Sequence, residues 1–270
     1  MNYKFLGVAL AALAIAGQTA FAHISYTGRN FGTLIISTDV SNNTQTVSSG
    51  FGWADATDAD WGDSHRGRFF RFTLANPLAG DQGVRITVSR NLLGTGANGT
   101  FRPAFSLFSY LAQGSPEALA HDSSTLSVNS RPAGTEGSFR SLADWSIGND
   151  DTYNTAGDPT SGILIAARLA NFTYIGHAAD GTSANFGNAA GIVGDGTADG
   201  FVTATFSSLA AGDYSLFVGG ANYALQTAEP GPTYPTYGIN VTVGLVPEPS
   251  TSSLLLGSAA LLGLLRRRKA

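Results

Sequence analysis

Short runs in which apolar and polar residues alternate are the feature of this sequence that most constrains its fold. Residues 68–74 place Phe70, Phe72 and Leu74 on one face of an extended chain and Arg71 with Thr73 on the other. A period of two is typical of strands that bury one face. Further apolar-rich runs of strand length follow at residues 84–88, 105–110, 163–167, 201–206, 214–218 and 239–243.

Turn-forming residues separate these runs, as in Ala79-Gly80-Asp81, Asn98-Gly99 and Ala211-Gly212-Asp213. No long window keeps the 3.6-residue period of a helix. The pattern therefore predicts an all-β fold, an antiparallel β-sandwich of jelly-roll-like type. Residues 185–199 are rich in glycine and predict a long loop, and the proline-rich residues 229–235 predict a connector before the last strand.

The charge of the central part of the chain narrows the kinds of ligand that it can bind. Residues 23–245 contain ten arginines, no lysine and eighteen acidic residues, a net charge of −8. Nucleic-acid affinity depends on neutralising phosphates with cationic side chains, so this composition excludes a nucleic-acid binder. The chain has no cysteine, which removes disulfides and thiolate metal sites.

The N-terminus has the pattern of a secretory signal peptide. Lys4 precedes an apolar run over residues 5–16, and small residues, Ala20 and Ala22, occupy the −3 and −1 positions of a signal-peptidase site. Residues 1–22 are therefore predicted to be removed, which leaves His23 as the first residue. A membrane anchor is the alternative, but the apolar run is short for a span of about 20 residues.

The C-terminus has three parts in order. Val246-Pro247-Glu248-Pro249-Ser250 leads into an apolar segment over residues 254–265, and the cations Arg266, Arg267, Arg268 and Lys269 follow. A helix over residues 251–265 would be about 22 Å long against about 30 Å of hydrocarbon, so it is only marginally long enough to span. The cations should stay in the cytoplasm. An amphipathic helix packed on the body is the alternative, but apolar residues surround all sides of this segment.

These three parts resemble the PEP-CTERM sorting domain over about the last 25 residues. The resemblance implies a Gram-negative host that makes exopolysaccharide, and processing near Pro-Glu-Pro by an exosortase, a membrane cysteine protease. The predicted organisation is a signal peptide (1–22), an extracellular body (23–245) and a sorting tail (246–270). Within the body, residues 70–74, 209–218 and 237–243 resemble β-sandwiches of the bacterial pre-peptidase C-terminal type, which implies fold only.

One cluster of carboxylates has the ligand chemistry of calcium. Asp55, Asp58, Asp60 and Asp63 are four carboxylates within nine residues, separated by small spacers on a stretch too polar for a core strand, and hard cations prefer oxygen ligands. The alternative is a solvated loop in which the aspartates make local turns. A second candidate is Gly148-Asn149-Asp150-Asp151 with Asp158, where a plain turn is the alternative.

The remaining candidates carry weaker signals. An N-terminal His23 is one requirement of the copper site of lytic polysaccharide monooxygenases, but nothing places His65, His121 or His177 beside it. Serine-nucleophile, zinc-protease and phosphate-loop motifs are absent from the sequence. Aromatic residues could form a sugar-stacking face or could pack in the core. They are Trp53, Trp61, Trp145, Tyr110, Tyr153 and Tyr174.

The sequence thus predicts a non-catalytic surface or matrix protein associated with exopolysaccharide, with calcium as a candidate ligand. Alternatives are a secreted carbohydrate-binding module or carbohydrate-active enzyme, and an adhesion domain that uses its glycine-rich loop. Signal peptidase and an exosortase are the expected processing partners. The expected route is through the inner membrane, which the tail would hold until processing, to the cell surface or matrix.

Overall fold

A computed structural model describes residues 24–54, 61–111, 138–147, 170–187, 191–229 and 233–247. Within these ranges the chain forms twelve strands, one short α-helix and 3-10 turns at Asn98–Thr100 and Ser183–Asn185. The elements are β1 (Asn30–Thr33), β2 (Asp39–Ser48), β3 (Trp61–Asp63), β4 (Arg68–Leu74), β5 (Gln82–Gly94), β6 (Pro103–Ser109), β7 (Ser138–Arg140), β8 (Trp145–Ile147), β9 (Ala170–Ala179), β10 (Phe201–Ser207), β11 (Gly212–Gly220), α1 (Ala224–Ala228) and β12 (Thr236–Pro247).

Two sheets carry the fold. The six-stranded sheet has the order β1-β4-β11-β6-β9-β8, and the four-stranded sheet has the order β10-β5-β12-β2. Neighbouring strands are antiparallel except β1 and β4, which are parallel. The prediction of an all-β sandwich is confirmed. Strands β3 and β7 form a separate two-stranded ribbon.

The first hydrophobic core lies between the two sheets. It takes the alternate apolar residues that the sequence pattern singled out, such as Phe70 and Phe72 of β4 and Val243 of β12. Phe72 stacks on Tyr214, with ring centroids 5.1 Å apart, and the Tyr214 hydroxyl donates to the carbonyl of Ala210 at 2.6 Å. Burial of these faces removes apolar surface from water, the main driving force of folding.

A second core covers the outer face of the six-stranded sheet. Phe69, Phe217, Trp145 and Phe172 contribute to it from the sheet itself, and Phe139 of β7 packs on them from the two-stranded ribbon. The Trp145 and Phe172 rings stack with centroids 4.3 Å apart. Strands β6 and β11 are therefore buried on both faces, whereas β5 of the four-stranded sheet alternates buried and more exposed residues.

The predicted strands over residues 68–74, 84–88, 105–110, 201–206, 214–218 and 239–243 match β4, β5, β6, β10, β11 and β12 to within one residue or lie inside them. The turn predicted at residues 211–213 differs, because Gly212 and Asp213 already pair with β4. Strand β2 was not predicted, since its sequence is almost wholly polar. Residues 163–167 lie outside the described residues.

Candidate functional sites

The last strand runs directly into the predicted sorting tail. Val246 pairs with Gly83 of β5, and Pro247 pairs with Gln82. The body is therefore still hydrogen-bonded sheet two residues beyond residue 245, the boundary that the sequence predicted. The other predicted sorting and membrane-stop residues lie outside the described residues: Glu248, Pro249, Ser250, Arg266, Arg267, Arg268 and Lys269.

Of the four predicted calcium ligands, the structure describes Asp63. Its Oδ2 lies 2.9 Å from the Nε of Arg66. Its Oδ1 accepts the backbone N–H of His65 at 2.9 Å and lies 3.0 Å from the His65 ring Nδ1. Both oxygens of this carboxylate are thus already engaged within the protein. The other three fall outside the described residues: Asp55, Asp58 and Asp60.

The described part of the chain contains no group of three or more histidine, aspartate or glutamate side chains placed to hold a metal ion. His65 contacts Asp63, and Nδ1 of His177 lies 2.6 Å from the hydroxyl of Tyr174. The calcium prediction stays a prediction. Several other residues singled out by the sequence lie outside the described ranges: Ala20, Ala22, His23, His121, Asn149, Asp150, Asp151, Tyr153 and Asp158.

Two of the three tryptophans belong to the second core rather than to a surface. Trp53 and Trp145 are 0% and 1% exposed. The indole N–H of Trp53 donates to the hydroxyl of Ser106 at 2.9 Å, a buried hydrogen bond that fixes the ring. Trp61 is partly buried, and Tyr110 is 46% exposed. Trp53 and Trp145 therefore cannot form a sugar-stacking face.

A buried carboxylate holds residues 191–200, which we call the clamped loop. Asp180 is 0% exposed, and its two oxygens accept the backbone N–H groups of Asp199 at 2.9 Å and Gly200 at 2.7 Å. Within the loop, Asp195 accepts the N–H of Gly181 at 3.1 Å. The sequence predicted an irregular segment here but gave no sign that a carboxylate beneath it fixes its path.

His177 fixes the same loop from a second point. Its Nε2 accepts the backbone N–H of Val193 at 3.2 Å, which requires an unprotonated Nε2 and so a neutral ring with the proton on Nδ1. The ring also packs on Trp53, with centroids 5.5 Å apart. Burial lowers the pKa of His177 and raises the pKa of Tyr174, its hydrogen-bond partner, to about 12.

Burial raises the pKa of Asp180 to about 6, although its two backbone N–H donors and Arg102 act in the opposite direction. Desolvation of the charged form is thus the larger effect. A shifted carboxyl and a shifted imidazole are often signs of a reactive site. Here both oxygens of Asp180 accept backbone N–H groups, and the two ring nitrogens of His177 bind a backbone N–H group and the Tyr174 hydroxyl. The arrangement therefore supports a structural role in holding the loop.

The C-terminal segment has a match among known families. The PEP-CTERM protein-sorting motif matches residues 245–269. The chain carries a PEP-CTERM sorting motif. This confirms the resemblance of the C-terminal residues to the PEP-CTERM sorting domain, and the match begins at Leu245, inside β12. The resemblance of the body to pre-peptidase C-terminal domains stays a prediction.

A PEP-CTERM motif implies an exported protein that an exosortase processes and sorts to the cell surface. Within the described residues, no helix is both long enough and apolar enough to cross a membrane. The predicted tail helix lies outside those residues. No curated protein matches the chain in sequence.

Two solved structures resemble the chain in shape. One is CorA of Methylomicrobium album BG8, described as a surface-associated copper-binding protein important in copper acquisition, with 16% identity, a TM-score of 0.47, and coverage of 82% of this chain and 98% of that one. The other is MopE of Methylococcus capsulatus, a secreted protein in which an oxidized tryptophan facilitates copper binding, with 17% identity, a TM-score of 0.41, and coverage of 84% and 92%. At this level of similarity no shared ligand follows.

Proposed function

We propose that the protein is a non-catalytic component of the cell surface or extracellular matrix that associates with exopolysaccharide after an exosortase has processed its tail. The observation that carries this proposal is the continuity of β12 with the sorting motif. Pro247 belongs to the sorting motif and still pairs with Gln82 of β5, so the folded body extends into the motif itself. The body is then the cargo that the tail delivers.

The surface of the body supports a role in binding neutral glycans or cations rather than polyanions. Residues 23–245 carry eighteen acidic residues against ten arginines, and the outer face of the four-stranded sheet presents hydroxyl groups to water. Two hydroxyl pairs bridge neighbouring strands there: Ser41 with Thr242 at 2.7 Å, and Thr87 with Thr203 at 3.0 Å. Rows of hydroxyls on a twisted sheet suit weak, repeated contacts with polysaccharide hydroxyls.

The sorting half of the proposal is tested by cell fractionation in the native host. A deletion of residues 248–270 removes most of the motif but leaves every residue of β12. We expect the full chain to appear in the membrane and then at the surface in a shorter form, and the deletion variant to lose both. A substitution at the exposed Gly80 turn is the matched control. Unchanged localisation of the deletion variant would refute the proposal.

The binding half is tested on immobilised exopolysaccharide from the host, with reducing-end release assayed in parallel. Retention without release is the expected result. Release of reducing ends would instead favour a carbohydrate-active enzyme. If the protein is not retained and releases no reducing ends, an adhesion domain is favoured.

Calcium is tested separately by thermal melting. We expect millimolar calcium to raise the melting temperature, and this rise should disappear in a triple Asp55→Asn, Asp58→Asn, Asp60→Asn variant.

A further inference from the structure

Two adjacent isoleucines are exposed in the connection between β1 and β2. Ile35 is 66% exposed and Ile36 is 45% exposed, whereas the preceding Leu34 is buried in the first core. Single exposed apolar residues are common on protein surfaces. Leu92 and Leu93 form a second exposed pair among the described residues, at 91% and 44%. Exposure alone therefore does not distinguish the isoleucines, and their position in the fold is what matters.

The pair lies beside the point at which the chain leaves the sheet for the tail. Ile36 forms a parallel β-bridge with Leu245, and the N–H of Ser37 donates to the Leu245 carbonyl at 2.8 Å. Leu245 precedes Pro247 by two residues, or about 7 Å along a strand. Ile36 is therefore next to the exit of β12, at one end of the sandwich.

The length of the chain beyond β12 places this end near the bilayer. Six residues separate Pro247 from Leu254, where the apolar tail segment begins. Fully extended, they reach about 20 Å. If the apolar segment is inserted, as the proposed function requires, this end of the sandwich is held within that distance of the membrane surface.

The charged side chains at this end of the sandwich determine whether it can be attracted to the membrane electrostatically. Asp39 and Arg85 flank Gly244 on either side and form an ion pair at 2.8 Å. Asp213 accepts a hydrogen bond from the Thr73 hydroxyl. This end therefore carries no excess of positive charge among its described side chains, so anionic lipid should not attract it. Apolar contact is the interaction that remains.

We propose that in the tail-bearing precursor Ile35 and Ile36 rest in the interfacial region of the bilayer. This inference rests on the proposed function, because the tail must first hold the body at the membrane. The inserted tail holds the isoleucine pair close to the bilayer, so the effective concentration of the pair at the membrane is high and even a weak apolar contact is populated. The pair would thereby fix the orientation of the body and hold the Pro-Glu-Pro segment at the level of the headgroups, where a membrane protease can reach it.

The absence of cysteine from the chain makes a direct test simple. The variants Ile35→Cys and Leu92→Cys would each be labelled with an environment-sensitive dye. Leu92 is the matched control, because it is an exposed apolar residue, 91% exposed, near the opposite end of β5. It is ten residues from Gln82, which pairs with Pro247, or about 33 Å along the strand.

The chain with its sorting tail would be reconstituted in phosphatidylcholine vesicles that contain a lipid with a nitroxide quencher in the upper acyl chain. We expect severalfold stronger quenching at position 35 than at position 92, together with a blue shift of the emission. Equal quenching at both positions would overturn the inference. A blue shift at position 35 without quenching would also overturn it, and would indicate a second copy of the chain as the occupant.

Flotation of the same vesicles separates this inference from the proposed function. If the protein does not float with the vesicles, the tail does not anchor it and both proposals fail. If it floats and position 35 is not quenched more than position 92, the inference alone fails. In the host, a double Ile35→Ser, Ile36→Ser variant should slow tail processing severalfold, while Leu92→Ser should not.

Discussion

Replacement of Asp180 by asparagine should flatten the pH dependence of stability between about pH 4 and pH 6. The carboxyl of Asp180 titrates near 3.8 when exposed and at about 6 in the folded protein, where burial disfavours its charged form. The folded chain therefore binds this proton more tightly than the unfolded chain does. The contribution of Asp180 to the free energy of unfolding is fully present below about pH 4 and is lost as the pH rises through about 6.

The size of this contribution follows from the pKa difference. A shift of about two units corresponds to about 3 kcal/mol at about 1.4 kcal/mol per unit. This is an upper limit for the change in the free energy of unfolding between acidic and neutral pH that Asp180 alone can cause. An asparagine does not titrate, so the Asp180→Asn variant should lack this change. The NH2 group of the amide cannot accept a backbone N–H, so relative to the ionised wild type the variant should lose about 1–3 kcal/mol.

The assay is urea denaturation of the wild type and the Asp180→Asn variant at several pH values between 4 and 7. The quantity of interest is the difference between the two free energies of unfolding at each pH, because other titrating groups cancel in it. We expect this difference to shrink as the pH rises. Asp81→Asn, at an exposed carboxyl in the turn between β4 and β5, controls for the loss of one charge. Parallel pH profiles for the wild type and Asp180→Asn would refute the reasoning.

The remaining predictions concern packing and a second titrating group. Burial lowers the pKa of His177 below its ordinary 6.5, so the stability that depends on its neutral ring is present above that pH and lost on acidification. His177→Gln should show less of this acid-dependent loss in the same denaturation series. Gly67→Ala should cost about 1–3 kcal/mol, because an added Cβ would overlap the ring of Phe217. Trp145→Ala should cost about 3–5 kcal/mol by opening a cavity in the second core. Both are measured by chemical denaturation.

Each of these three predictions has a control variant or an outcome that would contradict it. Gly80→Ala places its Cβ in open space, so it should change stability by less than about 0.5 kcal/mol. An equal cost at Gly67 and Gly80 would contradict the packing argument. A Trp145→Ala variant as stable as the wild type would show that the second core does not contribute to folding. If His177→Gln loses as much stability on acidification as the wild type does, the predicted titration of His177 is wrong.

Much of the sandwich could be predicted because β4, β5, β10 and β12 alternate apolar and polar residues, and a period of two is visible in one dimension. Strand β2 escaped prediction for the opposite reason. Its ten residues include a single buried one, Val47, and it is held by its ladder to β12. Pairing with a neighbour, rather than its own composition, makes that segment a strand.

Some of the candidate sites could likewise be predicted from the sequence, and others could not. The sorting motif could be read directly, since an enzyme and a membrane recognise a contiguous segment of the chain. The roles of Trp53 and Asp180 could not, because each depends on what covers the residue. A tryptophan suits a sugar platform or a core equally well until a second layer is seen to bury it. An aspartate between an alanine and a glycine gives no sign that it will hold a loop nineteen and twenty residues further along the chain.

The sequence by itself therefore determined the class of fold and the presence of a sorting motif, because periodicity and a contiguous motif are local properties of the chain. Only the tertiary structure decided that β6 and β11, at the centre of the six-stranded sheet, are buried on both faces. It also decided that Asp180 and His177 lie under one loop, and that Ile35 and Ile36 lie beside the end of β12. Each of these facts joins residues far apart in sequence. The physical reason is that burial, pKa shifts and surface patches arise from what surrounds a side chain, which is set only when distant strands pack together.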